Sequence, residues 1–113
     1  MFALSSATRV YLRLGATDMR KSFNGLHALA EQPLARDPRS GHLFVFCNRH
    51  RDRIKILFWD GSGLWCCAKR LERGRFSWPA GEGAEAALST QQLTLLLDGV
   101  QWEPPRQRNW HRQ

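Results

Sequence analysis

The fold is decided by residues 41–79, which read GHLFVFCNRHRDRIKILFWDGSGLWCCAKRLERGRFSWP. Runs rich in β-branched and aromatic residues alternate there with short polar or glycine-containing connectors, as in antiparallel strands joined by tight turns. The stretch therefore predicts a four-strand antiparallel meander. Its predicted strands are residues 43–48, 53–59, 64–71 and 75–78.

Pairing across these turns predicts both the register of the meander and the composition of its two faces. One face is apolar except for Lys69. The other mixes cations with aromatic rings. In this register Arg53 lies opposite Arg70, a like-charge pair that destabilises a sheet unless solvent or an anionic partner screens it. The mixed face carries Phe44, Phe46, Arg53, Lys55, Leu57, Trp59, Leu64, Cys66, Ala68, Arg70 and Arg75.

The composition indicates one domain with an affinity for polyanions. The 113 residues include 17 Lys and Arg against 10 Asp and Glu, a formal net charge of +7 that favours nucleic acid or anionic lipid as a partner. No apolar run approaches the roughly 20 residues of a membrane span, and the N-terminus lacks the pattern of a signal peptide, so we expect a cytoplasmic protein. The predicted organisation is a single α+β domain over residues 1–102 and a basic, disordered tail over residues 103–113.

A strand and two helices are predicted around the meander. Residues 8–14 form a short N-terminal strand, and Thr17 or Asp18 can cap the helix that follows, whose apolar positions have a 3.6-residue period. A C-terminal helix has stronger signals, because Ser89 and Gln92 have the spacing of a capping box. Both faces of the sheet need partial cover, and the sequence leaves open which face each helix covers.

The sequence contains no recognisable catalytic or cofactor-binding motif. The three cysteines, Cys47, Cys66 and Cys67, include no C-x-x-C pair, and no histidine stands at a metal-ligand spacing from them. No glycine-rich nucleotide fingerprint is present, and the histidines have no serine or cysteine elbow beside them. We therefore expect no enzymatic activity, no metal and no cofactor, with the thiols reduced and placed in the sheet.

The positive signal is the mixed face itself, because cations hold phosphates while aromatic rings stack on bases. In the alternative interpretation, the rings are buried under a helix and the cations extend past them at the rim. Arg20 and Lys21 are predicted in the first turn of the first helix, where orphan N–H groups favour an anion. The alternative there is that both point into water and pair with Asp18.

Four blocks of the chain resemble the TnpB accessory protein, the product of the second open reading frame of insertion sequences of the IS66 type. The blocks are TDMRKSFNGL (residues 17–26), GHLFVF (41–46), KILFWDG (55–61) and KRLERGRF (69–76). The resemblance implies a small cytoplasmic factor, encoded beside a separate transposase, with no catalytic centre of its own. Its pattern singles out Asp18, Arg20, Lys21, Lys55, Lys69, Arg70, Arg73 and Arg75.

Two functions follow as hypotheses. In the first, the chain is an accessory DNA-binding component of a transposition complex and neutralises phosphates with low sequence specificity. In the second, it is an adaptor that docks on the transposase without direct DNA contact. The candidate nucleic-acid contacts are Arg20, Lys21, Arg53, Lys55, Lys69, Arg70, Arg73 and Arg75, and the candidate stacking or partner contacts are Phe44, Phe46, Trp59, Trp102 and Trp110.

Overall fold

In the computed structural model, residues 7–99 are described, and they form a mixed five-stranded sheet with one helix on each face. The strand order is β4-β3-β2-β1-β5, in which β1 and β2 are parallel and the other neighbours antiparallel. The α+β class is thereby confirmed. The elements are β1 (Val10–Arg13), α1 (Phe23–Glu31), β2 (Leu43–Cys47), β3 (Arg53–Trp59), β4 (Leu64–Arg70), β5 (Glu85–Leu88) and α2 (Thr90–Leu97).

The central strands β2, β3 and β4 follow the alternation of the sequence. Val45 lies opposite Ile56, which lies opposite Cys67, and Arg53 lies opposite Arg70. The register predicted for these three strands is therefore confirmed. Because successive side chains of a strand point to opposite faces, this register also fixes which residues each helix covers.

Each helix buries one face of the sheet. α1 packs on the face that carries Phe44, Phe46 and Leu57, and α2 packs on the face that carries Val45 and Ile56. All five positions of β2 are buried. Cover on both sides explains why LFVFC is a continuous apolar run rather than an alternating one.

The predicted fourth meander strand is wrong. Residues 75–78 form no strand. Phe76 is buried in the core on the α2 side, and the indole N–H of Trp78 donates to the carbonyl of Arg13 at 3.1 Å. The chain thus crosses from the β4 edge to the β1 edge and adds β5 beside β1. β5 is absent from the sequence prediction.

The first helix begins later than predicted, and neither Thr17 nor Asp18 caps it. The Asp18 carboxylate accepts the backbone N–H of Arg20 at 2.9 Å in a turn that precedes the helix. α1 begins at Phe23, with Ser22 at the N-cap position and no side-chain cap. Arg20 and Lys21 therefore both lie before the helix, and the prediction that they occupy its first turn is wrong.

The second helix begins where the sequence predicts. The Ser89 hydroxyl accepts the backbone N–H of Gln92 at 3.1 Å, and the Gln92 side chain accepts the backbone N–H of Ser89 at 2.9 Å. This reciprocal pair satisfies two N–H groups that the helix itself leaves unbonded. The predicted basic tail, residues 103–113, lies outside the described residues.

Candidate functional site

One end of the sheet collects most of the described cations. Antiparallel pairing places the turn between β2 and β3, residues 48–52, beside the C-terminal end of β4. Parallel pairing of β1 with β2 places the loop after β1 at the same end. We refer to this end as the basic end. Its cations are Arg13, Arg20, Lys21, Arg49, Arg51, Arg53, Lys55, Lys69, Arg70, Arg73 and Arg75.

Two backbone hydrogen bonds join the β2–β3 turn to the segment after β4. The N–H of Leu71 donates to the carbonyl of Asp52 at 2.8 Å, and the N–H of Phe76 donates to the carbonyl of Arg51 at 2.7 Å. The intervening residues 72–75 are all exposed. This loop therefore holds the cations of residues 73 and 75 at the basic end while leaving them in contact with solvent.

Asn48 organises the β2–β3 turn. Its side-chain oxygen accepts the backbone N–H groups of Asp52 and Arg53 at 3.0 and 3.1 Å, and its amide donates to the Asp52 carboxylate at 2.7 Å. That side-chain hydrogen bond is the main cause of the lowered pKa of Asp52. The turn is thus fixed by hydrogen bonds, which gives Arg53 a defined position at the start of β3.

Arg51 has a structural role in the same turn. Its φ of 61° lies in the left-handed region that side chains rarely adopt. Its guanidinium donates to the carbonyl of Leu14 at 3.2 Å and lies 5.4 Å from the ring centroid of Trp78. Arg51 therefore ties the turn to the chain around it, and its guanidinium is only partly accessible.

A cleft of about 480 Å³ opens at the basic end, where β3 and β4 meet the loop before α1. Arg53 and Arg70 lie opposite each other at this point. Arg70 has a partner, since its Nε lies 3.3 Å from the carboxylate of Glu72, and both side chains are exposed. The cleft is lined by Met19, Arg53, Ile54, Lys55, Ala68, Lys69, Arg70 and Glu72.

Two of the eight predicted contacts stabilise the fold. The amine of Lys55 donates to the carbonyl of Lys21 at 2.8 Å and holds the loop before α1 against β3. The amine of Lys69 lies on the opposite face and donates to the carbonyl of Leu97 at 2.5 Å. A cation at the C-terminus of a helix is favourable because the last carbonyls are unbonded and carry partial negative charge.

Arg20 is paired within its own loop. Its guanidinium donates to both oxygens of the Asp18 carboxylate, at distances from 2.7 to 3.1 Å. The side chain of Arg20 is nevertheless 91% exposed. These hydrogen bonds lower the pKa of Asp18 to about 2. Of the two interpretations of Arg20, the structure thus shows the second: the side chain points into water and pairs with Asp18.

The remaining predicted cations are exposed and unpaired. Within residues 7–99, the side chains of Lys21, Arg53, Arg73 and Arg75 form no ion pair and no hydrogen bond. Arg49, in the β2–β3 turn, is also exposed. The sequence prediction missed Arg49 because it treated this turn only as a connector.

The candidate stacking rings do not lie on the same surface as the cations of the basic end. Phe44 and Phe46 are fully buried under α1, so the prediction that they stack on bases or contact a partner is wrong. Trp59 is only partly exposed and lies at the opposite end of β3, roughly 20 Å from Arg53 by the rise of a strand. The guanidinium of Arg39 lies 5.1 Å from its ring centroid. Trp102 and Trp110 lie outside the described residues.

Residues 7–99 contain no metal-ligand cluster, no membrane-spanning helix and no disulfide. No group of three or more His, Cys, Asp or Glu side chains among residues 7–99 is placed to hold a metal ion. No helix in this range is long and apolar enough to cross a membrane. The three cysteines form no disulfide: Cys47 is buried, and Cys66 and Cys67 are partly exposed.

Comparison with known proteins identifies the family. The chain matches the family described as IS66 Orf2 like protein over residues 8–107. It is 42% identical over 102 residues to the uncharacterized protein y4hO of Sinorhizobium fredii, covering 90% of this chain and 88% of that protein. It is 34% identical over 102 residues to the uncharacterized protein y4jC of the same organism, covering 90% and 87%. No solved structure matches. The chain therefore belongs to the TnpB family of IS66 Orf2-like proteins, the accessory proteins of these insertion sequences.

Proposed function

We propose that the chain is a DNA-binding accessory protein of an insertion-sequence transposition system, and that it holds the phosphates of duplex DNA through the basic end. One observation carries the proposal: Arg53 and Arg70 lie opposite each other at the mouth of an open cleft. A like-charge pair of this kind is unfavourable in the isolated sheet, whereas a phosphate bound by the two guanidinium groups offsets the repulsion.

The cations of the basic end fall into two groups of phosphate contacts, primary and secondary, according to whether each already has a partner within the protein. Lys21, Arg53, Arg73 and Arg75 are the primary contacts, because binding a phosphate breaks no interaction of the fold. Arg20 and Arg70 are secondary, since each already has a neighbouring carboxylate. Cations of this kind neutralise phosphates but do not read base edges, so we expect low sequence specificity.

Burial of the rings favours duplex over single-stranded DNA. Proteins that bind single strands stack bases on exposed aromatic side chains. Phe44 and Phe46 are inaccessible, and Trp59 lies at the far end of the sheet. Among the exposed aromatic rings of residues 7–99, only Phe23, 46% exposed at the start of α1, lies near these cations, and a single ring cannot stack successive bases.

A matched pair of double variants tests the proposal. Arg53→Gln with Arg73→Gln removes two charges from the basic end, and Arg9→Gln with Arg39→Gln removes two charges from the opposite end. If both residues of the first pair contact phosphates, the slope of log affinity against log salt falls by about 1.8, since each contact contributes about 0.9 on duplex DNA. The control pair should leave the slope unchanged.

Thermal melting should first show that both double variants are folded. An equal loss of affinity in the two variants would show that only net charge matters and would overturn the assignment to the basic end. If the Arg53 and Arg73 variant retains both its affinity and its slope, DNA binding by this surface is excluded. The adaptor hypothesis, in which the chain docks on the transposase, then becomes the better account.

A further inference from the structure

The outer edge of β4 is a strand edge that is uncharged over most of its length. β4 is seven residues long, whereas β5 at the other edge of the sheet has four. Within residues 7–99 no strand pairs with the outer side of β4. Native sheets protect such edges with charge, proline or short length; the charges of β4 are confined to Lys69 and Arg70 at its end, and residues 64–68 read LWCCA. The backbone groups on this side of β4, which no described strand pairs with, can pair with another strand.

An exposed aromatic ring is held rigidly on this strand. Trp65 is 46% exposed. Its ring stacks on that of Phe58, with centroids 6.1 Å apart and planes inclined by 4°, and its indole N–H donates to the carboxylate of Asp60 at 2.7 Å. Because both contacts fix the ring before any partner arrives, covering it costs little side-chain entropy.

We propose that β4 pairs antiparallel with β4 of a second copy of the chain, so that the two sheets become continuous around a two-fold axis. The charges at the two ends of the strand favour a second copy as the partner and an antiparallel orientation of the two strands. Lys69 and Arg70 lie at one end of β4, and Asp60 lies in the turn at the other end. Antiparallel pairing brings Arg70 of each copy toward the Asp60 turn of the other, whereas parallel pairing would place Arg70 beside Arg70.

Symmetry then selects the register. A two-fold axis perpendicular to the sheet keeps the α1 layers of both copies on the same side, so residues that face each other must point to the same face. The register that overlaps all of β4 places Cys67 opposite Cys67 of the second copy. Trp65 is then opposite Lys69 of the second copy, whose aliphatic stem can cover the exposed ring while its amine stays on the carbonyl of Leu97.

This register distinguishes two adjacent cysteines. Residues directly opposite in an antiparallel pair have Cα atoms about 4.5–5.5 Å apart, within the range of a disulfide, so the two Cys67 thiols can be joined. Cys66 is opposite Ala68 of the second copy. The two Cys66 residues are only diagonal neighbours, whose Cα atoms lie roughly 7–8 Å apart, beyond the reach of a disulfide.

Oxidative crosslinking tests the register. The wild-type chain, Cys66→Ser and Cys67→Ser are treated with copper phenanthroline, which takes two electrons while two thiols lose their protons and form one S–S bond. The wild type and Cys66→Ser should give a covalent dimer on non-reducing electrophoresis, and Cys67→Ser should not. Absence of a dimer in the wild type, or a dimer that requires Cys66, would overturn the proposal.

Sedimentation tests the dimer without crosslinking. The reduced wild-type chain should sediment as a dimer in the absence of DNA. Trp65→Lys places a lysine against Lys69 of the second copy, so this variant should sediment as a monomer while its far-ultraviolet circular dichroism spectrum, which reports the backbone, stays unchanged. A reduced wild-type chain that is monomeric at micromolar concentration contradicts the proposal. Neither test involves DNA, so the dimer and the phosphate-binding function can fail separately.

Discussion

Arg53 and Arg70 lie directly opposite each other in the β3–β4 ladder, and of the two only Arg70 has a carboxylate partner within the described residues. The fold places both there because each occupies a strand terminus that the turn at Asn48 fixes in register. Their repulsion is part of the free energy of the isolated chain, and its removal should be measurable.

Arg53→Gln should raise the free energy of unfolding by about 0.2–1 kcal/mol at low salt, because it removes a like charge directly opposite Arg70. The gain should shrink in about 1 M salt, where the screening length falls to about 3 Å. Urea denaturation at the two salt concentrations measures both effects. Arg9→Gln serves as the control and should change little. A loss of stability at low salt would contradict the prediction.

Lys69→Gln and Lys21→Gln should affect different properties: the first the stability of the fold, the second the affinity for DNA. Lys69 donates to the carbonyl of Leu97 at the end of α2, so its loss should lower stability by about 0.3–1 kcal/mol and leave the salt slope of DNA binding unchanged. The Lys21 side chain has no partner in the described structure, so its loss should weaken DNA binding and leave stability unchanged. Urea denaturation and DNA titration of both variants decide this.

Asp60 should titrate well below an ordinary carboxylate. The backbone N–H of Ser62, the indole N–H of Trp65 and the backbone N–H of Gly63 all donate to it and lower its pKa to about 2. Since an unfolded aspartate has a pKa of about 3.9, these bonds stabilise the fold above about pH 4, and their contribution is lost as the pH falls toward the folded value. The indole proton shift of Trp65 reports the titration by NMR. A titration midpoint near pH 4, or a titration of the Trp65 indole proton that persists in Asp60→Asn, would contradict the lowered pKa of Asp60.

Cys47 should be the least reactive thiol of the chain. It is fully buried, and burial raises its pKa to about 11. Because the thiolate is the reactive form, an aromatic disulfide reagent near neutral pH should label Cys66 and Cys67 first and Cys47 only after urea unfolding. Mass spectrometry of the labelled peptides identifies the sites. Labelling of Cys47 in the native chain at the rate of Cys66 would show that the core is open there.

Local patterns suffice for part of this fold. The register of β2, β3 and β4 follows from period-2 alternation and from short connectors that allow only antiparallel neighbours. The start of α2 follows from Ser89 and Gln92, whose hydrogen bonds are contained within one helical turn. The position of the cations at one end of the sheet follows from the same register.

The remaining features depend on residues far apart in the chain. Residues 75–78 have the alternation of a strand, but Phe76 and Trp78 pack against the core from a crossing segment. β5 has only four residues and its partner is β1. The burial of Phe44 and Phe46 depends on α1 covering their face. No local pattern distinguishes an aromatic residue under a helix from one that stacks on a base.

The position of β1 inside the sheet has a consequence for synthesis of the chain on the ribosome. β1 is the first described strand to be made, but one of its two neighbours, β5, is the last. Until β5 and α2 emerge, a nascent chain exposes the free edge of β1 and the apolar face around Val45. Unpaired edges and exposed apolar surface of this kind lead to aggregation or chaperone binding. Translational pausing before residue 85 should therefore be more harmful to this protein than pausing after α2.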